Sequence, residues 1–214
     1  MNKVAQGVKA MDYRRLNWVF WAVVFNAGCA QAAPAPTVTP APAPAKVAAA
    51  VPPPAVAPHV SLLSGKFIFT LPHGFAPQPP APSPEGKPLD SRVRRLSFVE
   101  NSKAQVVSAI ESPSPNGMTT GDTDNHFLDG MASHFVMQQA QSVPGYQSLA
   151  IKRLTVNGLA VRQIESVENH GSTRVWNSTL LANSGQLFAL VAVTTAPEDK
   201  AGHQALVQQV LGGK

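Results

Sequence analysis

The chain has few cysteines and few charged residues, and each shortage excludes a class of protein. A single cysteine among 214 residues rules out an internal disulfide framework and any zinc or iron–sulfur site built from several cysteines. Charged residues make up 14% of the chain, against roughly 25% in an ordinary soluble domain. The shortage is concentrated in residues 33–58, which hold nine prolines and one charge, Lys46. Outside this stretch and the first 28 residues, about 160 residues remain, enough for one domain with a sizeable core.

The surplus of positive charge is small once the N-terminus is set aside. The formal net charge is +5, but residues 1–28 supply +3 of it and the rest of the chain only +2. The one local basic cluster consists of Arg92, Arg94 and Arg95. Because a nucleic-acid-binding surface needs a larger basic excess, the composition predicts no nucleic-acid partner.

The first 28 residues have the order of parts of an export signal. Arg14 and Arg15 are followed by an apolar segment of twelve residues, 16–27. This length is typical of a signal core and falls short of the ~20 residues of a membrane span. Translation from either Met1 or Met11 would produce such a leader. We therefore predict a signal peptide of the lipoprotein type over residues 1–28.

The only cysteine, Cys29, directly follows the apolar segment. The segment 27–30 (AGCA) resembles the bacterial lipobox, in which the cysteine is acylated and becomes the new N-terminus. Asn26 departs from that pattern, since a residue such as leucine is usual there. Ordinary signal cleavage after Ala32 and an uncleaved anchor are the alternatives. The sequence favours lipid attachment at Cys29.

The residue after the cysteine bears on the destination of the mature protein. By resemblance to lipoprotein sorting in Gram-negative bacteria, an acidic residue at that position retains a protein at the inner membrane. Ala30 stands there, so the outer membrane is favoured over the inner, with the domain facing the periplasm. Cleavage after Ala32 would instead give a soluble periplasmic protein.

Residues 29–59 are predicted to form a disordered or extended tether. Proline fixes φ and lacks an amide donor, so neither a helix nor a sheet propagates through these proline and alanine repeats. A polyproline-like spacer extends about 3 Å per residue. Such a tether would hold a domain at residues 60–214 away from a membrane.

The rest of the chain alternates strand patterns with turns and two helical patterns, which predicts an α+β domain with helices packed on an antiparallel sheet. Thr123 or Asp124 can cap the first helix. The strand over residues 187–193 is predicted to be central, because neither of its alternate rows contains a charge. Strands are predicted at 66–71, 92–100, 104–111, 148–156, 159–168, 173–182 and 186–195, and helices at 124–142 and from Pro197 onward.

Three segments resemble the DcrB family of envelope lipoproteins. Residues 60–72 (VSLLSGKFIFTLP) are similar to the opening of the family's mature domain, and residues 158–164 (GLAVRQI) and 180–188 (LLANSGQLF) to its central hairpins. The resemblance covers residues 60–214 and the order of elements. It implies the α/β/α sandwich of PsbP-like and Ran-binding Mog-like proteins, which are mostly binding or accessory proteins.

The chain departs from the DcrB pattern in three places. These are the long tether, the proline-rich loop at 76–88 and Asn26 in the lipobox. DcrB itself is an inner-membrane lipoprotein, whereas Ala30 favours the outer membrane here.

The histidines show no spacing typical of a metal site. None forms the H-E-x-x-H pattern, and each is predicted to be a hydrogen-bonded histidine at the boundary of the core. The segment 121–125 (GDTDN) imitates the start of an EF-hand loop, but Phe127 occupies the glycine position and Ser133 the position of the final glutamate. We therefore predict a helix cap there. The six histidines are His59, His73, His126, His134, His170 and His203.

No sequence pattern typical of catalysis stands out. Glu165 and Glu168 are three residues apart on a predicted strand, so their carboxylates face opposite sides of a sheet. The formal glycosylation sequon 177–179 lies within a strand, and Trp176 is predicted to lie in the core. A nucleophile elbow and a phosphate-binding loop are both lacking.

The sequence therefore predicts an accessory or binding protein of the cell envelope without enzymatic activity, cofactor or metal. Its expected partners are the membrane, through the lipid at Cys29, and an envelope protein. A periplasmic hydrolase with an unrecognised site and an envelope chaperone for a secreted partner are the alternatives.

Overall fold

The computed structural model describes residues 57–79, 90–170, 173–196 and 199–212. Nine strands and two α-helices lie within these ranges. The helices are α1 (Asn125–Ser142) and α2 (Lys200–Gly212). The strands are β1 (His59–Leu62), β2 (Phe67–Thr70), β3 (Ala76–Gln78), β4 (Arg94–Glu100), β5 (Gln105–Pro113), β6 (Gln147–Val156), β7 (Leu159–His170), β8 (Thr173–Ser184) and β9 (Leu187–Thr195).

Seven of the strands form one sheet in the order β3-β4-β5-β9-β8-β7-β6, with every neighbouring pair antiparallel. The strand β9 therefore lies in the middle, as predicted for residues 187–193. The strands β1 and β2 form a separate two-stranded hairpin.

Both faces of the large sheet are covered. On one face, α1 places Phe127, Leu128 and Met131 in an apolar cluster with residues of β7, β8 and β9. On the other face, α2 and the β1–β2 hairpin contribute to a larger cluster, in which Phe67 and Phe69 are fully buried. This architecture confirms the predicted α+β class, with two helices packed on a large antiparallel sheet.

Local signals explain several of the element boundaries. The Asp124 side chain accepts a hydrogen bond of 3.0 Å from the Phe127 amide, so it caps α1 as predicted. Between β6 and β7, Asn157 and Gly158 have φ values of 51° and 81°. Positive φ at both positions is typical of a type I′ turn, whose twist matches that of the flanking strands.

The structure corrects the predicted order of elements in two places. The strand predicted at 66–71 lies outside the main sheet and pairs with β1, which the sequence analysis did not predict. The proline-rich loop predicted at 76–88 begins with β3, which pairs with β4 through Pro77 and its two neighbours. Both missed strands are only three or four residues long, and their pairing partners are set by packing.

Several predictions fall outside the described residues. These are the signal peptide at 1–28, Cys29, the tether as far as residue 56, and residues 80–89 of the proline-rich loop. The first strand begins at His59, one residue before the predicted start of the domain. Among the described residues, neither helix is long and apolar enough to span a membrane.

We expect a chain that begins at Ala57 to melt within about 5 °C of the mature protein, because the composition before that residue cannot bury enough apolar surface to contribute stability. Ala57 is the chosen start because the Pro58 carbonyl accepts a 2.9 Å hydrogen bond from the Leu71 amide. Thermal unfolding followed by circular dichroism measures the difference.

A chain that begins at Gly65 is the matched control. It lacks β1 and with it the buried side chains of Val60, Leu62 and Leu63, so its midpoint should fall steeply. A midpoint lowered by more than about 5 °C for the Ala57 chain, equivalent to roughly 1.5 kcal/mol for a domain of this size, would show that the tether packs on the domain.

Candidate functional site

The most buried charged side chain of the described residues lies between α1 and the sheet. Arg162, on β7, is 0% exposed. Its Nε donates to Asp129 Oδ1 at 2.6 Å, and its Nη2 donates to Asn125 Oδ1 at 2.7 Å and to the Asn125 carbonyl at 3.1 Å. Because Asn125 and Asp129 occupy the first turns of α1, this guanidinium fixes the helix on β7.

A second arginine reaches the same carboxylate from the edge of the sheet. Arg153, on β6, is paired in register with Arg162 and donates from Nη2 to Asp129 Oδ2 at 2.8 Å. Its side chain is 72% exposed. The hydrogen bond from Arg162 is the main cause of the lowered pKa of Asp129, with Arg153 adding to it. The Asp129 carboxylate thus stays ionised in mild acid and stabilises the fold above its ordinary pKa, a contribution that disappears as pH falls through the lowered value.

A further polar group lies near the C-terminal end of α1. The Asn177 Nδ2 atom donates to Glu168 Oε1 at 3.2 Å, and Glu168 is 7% exposed. Burial raises the pKa of Tyr146; the hydroxyl of Ser166 opposes this and the Glu168 carboxylate adds to it. In the same part of α1, Gln138 is 8% exposed, and its Oε1 has no hydrogen-bond partner among the described residues. The sheet is therefore polar beneath the second half of α1.

Under α2, one histidine joins the helix to two strands. His203 Nε2 lies 2.8 Å from Ser178 Oγ on β8, and Nδ1 lies 3.1 Å from Thr195 Oγ1 on β9. A hydroxyl beside an imidazole is also the arrangement of a nucleophile and its base. Here Ser178 is 1% exposed and α2 covers it, so a substrate cannot reach the hydroxyl in this arrangement.

The two glutamates considered in the sequence lie in separate surroundings. Glu165 accepts hydrogen bonds from Lys152 Nζ at 2.6 Å and from Gln163 Nε2 at 3.1 Å. Glu168 bonds with Asn177 instead. The two carboxylates do not form a pair, which agrees with the alternation of side chains along β7.

The predicted hydrogen bonding of histidine is confirmed for two of the six. His59 is exposed, and its Nδ1 lies 3.1 Å from Thr70 Oγ1. His203 is hydrogen-bonded as expected, but it is buried in the core instead of lying at its boundary. The side chain of His170 falls outside the described residues.

The remaining residues singled out in the sequence, Trp176 and the basic cluster, form contacts within the fold. The prediction of a core position for Trp176 is wrong in part, since the indole is only half-buried and lies beneath Lys200 Nζ, 5.1 Å from the ring centroid. In the basic cluster, Arg92 pairs with Asp90 at 2.6 Å, and Arg94 donates to the Ser61 carbonyl at 2.8 Å. Burial lowers the pKa of Arg95, the third arginine of the cluster.

Within the described residues, no group of three or more histidine, cysteine, aspartate or glutamate side chains is placed to hold a metal ion. The segment 121–125 forms contacts of another kind. Asp122 accepts from Lys66 Nζ at 2.6 Å and from Ser184 Oγ at 2.7 Å. These bonds join the loop before α1 to the turn after β1 and to the end of β8.

Sequence reasoning missed Arg162, the most unusual residue of the site. The one available signal was an arginine within an otherwise apolar strand pattern, at residues 159–164. Its partner Asp129 lies 33 residues earlier, on a different element. Only the packing of α1 on β7 brings the two together.

Comparison with known proteins shows similarity to solved structures only. No protein-family model matches the chain, and no curated protein matches its sequence. Among solved structures, the chain is similar to cyanobacterial PsbP (CyanoP) from Synechocystis sp. PCC 6803, with 13% identity, a TM-score of 0.46, and coverage of 78% of this chain and 96% of that one. It is also similar to LpqN, involved in cell envelope biogenesis of Mycobacterium tuberculosis, with 12% identity, a TM-score of 0.36, and coverage of 67% and 78%.

Likenesses of this size carry no information about function. A PsbP protein is among the structural neighbours. The assignment to the DcrB family is a prediction that these comparisons leave untested.

Proposed function

We propose that this protein is a lipid-anchored accessory or binding protein of the bacterial cell envelope, with its domain facing the periplasm. The observation that carries the proposal is the position of Cys29, the only cysteine, between an apolar segment and a proline-rich stretch. Several acyl chains at one N-terminus hold a soluble domain stably at a membrane, whereas a single chain binds only marginally.

The order of the parts explains how such a protein would be used. The lipid fixes one end of the chain, and the proline-rich residues place the α+β domain at a distance. Ala30 favours the outer membrane, by resemblance to lipoprotein sorting. The family that the sequence resembles supports binding over catalysis.

The Cys29→Ser variant tests the anchor. We expect it either to appear in the soluble periplasmic fraction or to stay uncleaved, because serine cannot form the thioether to diacylglycerol. Incorporation of labelled palmitate into the wild-type protein, followed by membrane fractionation, is the measurement. Ala30→Asp is the matched control, which should keep the label and move the protein to the inner membrane. A wild-type protein without label and with Ala33 as its first residue would contradict lipidation.

We place the surface for a protein partner along β6. This ten-residue strand ends the sheet, so one side of its backbone has no strand partner among the described residues. Leu149 and Ile151 on β6 are 46% and 48% exposed, and Met137 on α1, which packs on the same side of the sheet, is 55% exposed. An extended segment of a partner can add to such an edge through backbone hydrogen bonds.

The opposite edge of the sheet is less suited to pairing with an extended segment of a partner. The strand β3 has only three residues, and Pro77 in its centre lacks an amide donor. The edge at β6 is itself partly protected by Lys152, Arg153 and a register shift between Ser148 and Ala150. Charges and bulges of this kind limit pairing with unselected strands.

Photocrosslinking in cells tests this placement. A photoreactive side chain at Ile151, in the anchored protein, should give a discrete adduct with an envelope protein. The same side chain at the exposed Gln78, on the other edge, is the matched control and should give none. Equal adducts at both positions, or no adduct at Ile151, would contradict a binding site on β6.

A further inference from the structure

One buried imidazole lies within the contact between α2 and the sheet. His203 is 5% exposed and lies near the start of α2. It is within hydrogen-bond distance of Ser178 and Thr195, each 1% exposed, on the adjacent strands β8 and β9. One titratable side chain therefore ties the last helix to the centre of the sheet.

The elements packed against α2 supply few charges to this site. The strands β2 and β9 contain no titratable side chain, and β8 contains only Arg174, which donates to Gln147 Oε1 at 3.0 Å. The carboxylates that act on His203 belong to Glu165 of β7 and to Asp199, directly before α2.

Both carboxylates near His203 already have other hydrogen-bond partners. Glu165 pairs with Lys152 at 2.6 Å. Asp199 Oδ1 accepts from the Gly202 amide at 2.8 Å, at the start of α2. The nearest cation of the helix itself, Lys200, lies over the Trp176 ring. No carboxylate among the described residues forms a salt bridge with His203, so a positive imidazolium would be buried without one.

Burial therefore lowers the pKa of His203 to about 4, against an opposing effect of Glu165 and Asp199. Hydrogen bonding does not resist protonation, because the hydroxyls of Ser178 and Thr195 can each accept from a ring N–H. The cost arises from the buried charge. A histidine in water has an ordinary pKa of about 6.5, so the docked helix is favoured fully above that pH and progressively less as pH falls towards the lowered value.

From this geometry we infer that α2 is an acid-released latch, whose first turns leave the sheet at acidic pH while the seven-stranded sheet and α1 stay folded. The helix is the last described element and contributes no strand to the sheet, so its release breaks no ladder of backbone hydrogen bonds. By contrast, α1 is fixed by the buried Arg162 and connects β5 to β6. Release of the first turns exposes Ser178 and Thr195, while Leu206, Val207 and Val210 hold the rest of α2 in the core.

Hydrogen exchange of the mature chain at pH 7.5 and pH 5.0, corrected for intrinsic exchange rates, tests the latch. For a group that titrates near 6.5 when open and near 4 when docked, the population of the open state rises about 30-fold between these pH values. We expect this increase for the amides of the first turns of α2 and less than about a threefold change for those of α1. Equal changes in both helices would show global unfolding and would overturn the latch, as would no change in α2.

Two variants separate His203 from other titrating groups. His203→Gln keeps a side chain that can hydrogen-bond but cannot become charged, so the pH dependence of exchange in α2 should disappear. His59→Gln removes the exposed histidine beside Thr70 and should leave that dependence intact. Should His203→Gln fail to fold, an NMR titration of the wild-type His203 ring decides: a midpoint near 4 supports the latch, and a midpoint between 6 and 7 overturns it.

Discussion

Replacing Arg162 with alanine is expected to lower the free energy of unfolding by about 3–5 kcal/mol. The substitution removes a fully buried side chain and leaves a cavity beneath α1. It also takes from Asp129 and Asn125 the guanidinium that joins them to β7. The first turns of α1 would then be held mainly by the apolar cluster around Phe127.

The neighbouring arginine provides a matched control. Arg153 binds the other oxygen of the same carboxylate, but its side chain is 72% exposed. Removing an exposed ion-pair partner changes stability by at most about 1 kcal/mol. We therefore expect Arg153→Ala to unfold close to the wild-type midpoint.

Urea denaturation measures all of these variants on one scale. A shift of the midpoint at constant slope reports a change in stability alone. Arg162→Met separates the two causes, because it keeps most of the volume and removes the hydrogen bonds. If both Arg162→Ala and Arg153→Ala lower the free energy of unfolding by less than about 1 kcal/mol, burial of the Arg162 guanidinium does not determine how firmly α1 is held.

Replacing Phe188 with aspartate is expected to prevent folding altogether. Phe188 lies on the central strand β9, is 5% exposed, and meets the Phe127 ring edge-on with centroids 6.3 Å apart. A carboxylate there would be buried without a partner, at a cost of several kcal/mol, and the aromatic contact would be lost. Total stabilities of domains are about 5–15 kcal/mol, so little would remain.

The measurement is near-ultraviolet and far-ultraviolet circular dichroism of the purified variant. Leu149→Asp is the matched control, since it introduces the same carboxylate at a side chain that is 46% exposed on β6. It should change stability by no more than about 0.5 kcal/mol. Wild-type solubility and an unchanged melting curve for Phe188→Asp would mean that this face of β9 is not packed as described.

Features with local signals in the sequence were predicted closely. The cap at Asp124, the turn at 157–158 and the uncharged strand over 187–193 each depend on residues that are near neighbours in the chain. Propensities, turn conformations and hydrophobic periodicity act over these short distances. The class of the fold followed from the order of such signals.

Features that depend on contacts between distant segments were not predicted. A four-residue stretch such as β1 carries no strong pattern and becomes a strand only beside β2. An arginine within a strand is usually exposed to solvent, and the burial of Arg162 follows from α1 folding over it. In the same way, His203 is buried because Ser178 and Thr195, from two strands, meet it beneath α2.

The separate β1–β2 hairpin determines how a pulling force enters the domain. A pull on the chain before Ala57 first loads the bond between the Pro58 carbonyl and the Leu71 amide, and then the pair His59–Thr70. These bonds lie at the open end of the hairpin, so they would break one after another, as in unzipping. The seven-stranded sheet is not in this path, because β1 forms no ladder with it. When the N-terminal chain is pulled, the hairpin is therefore expected to open before the main sheet does.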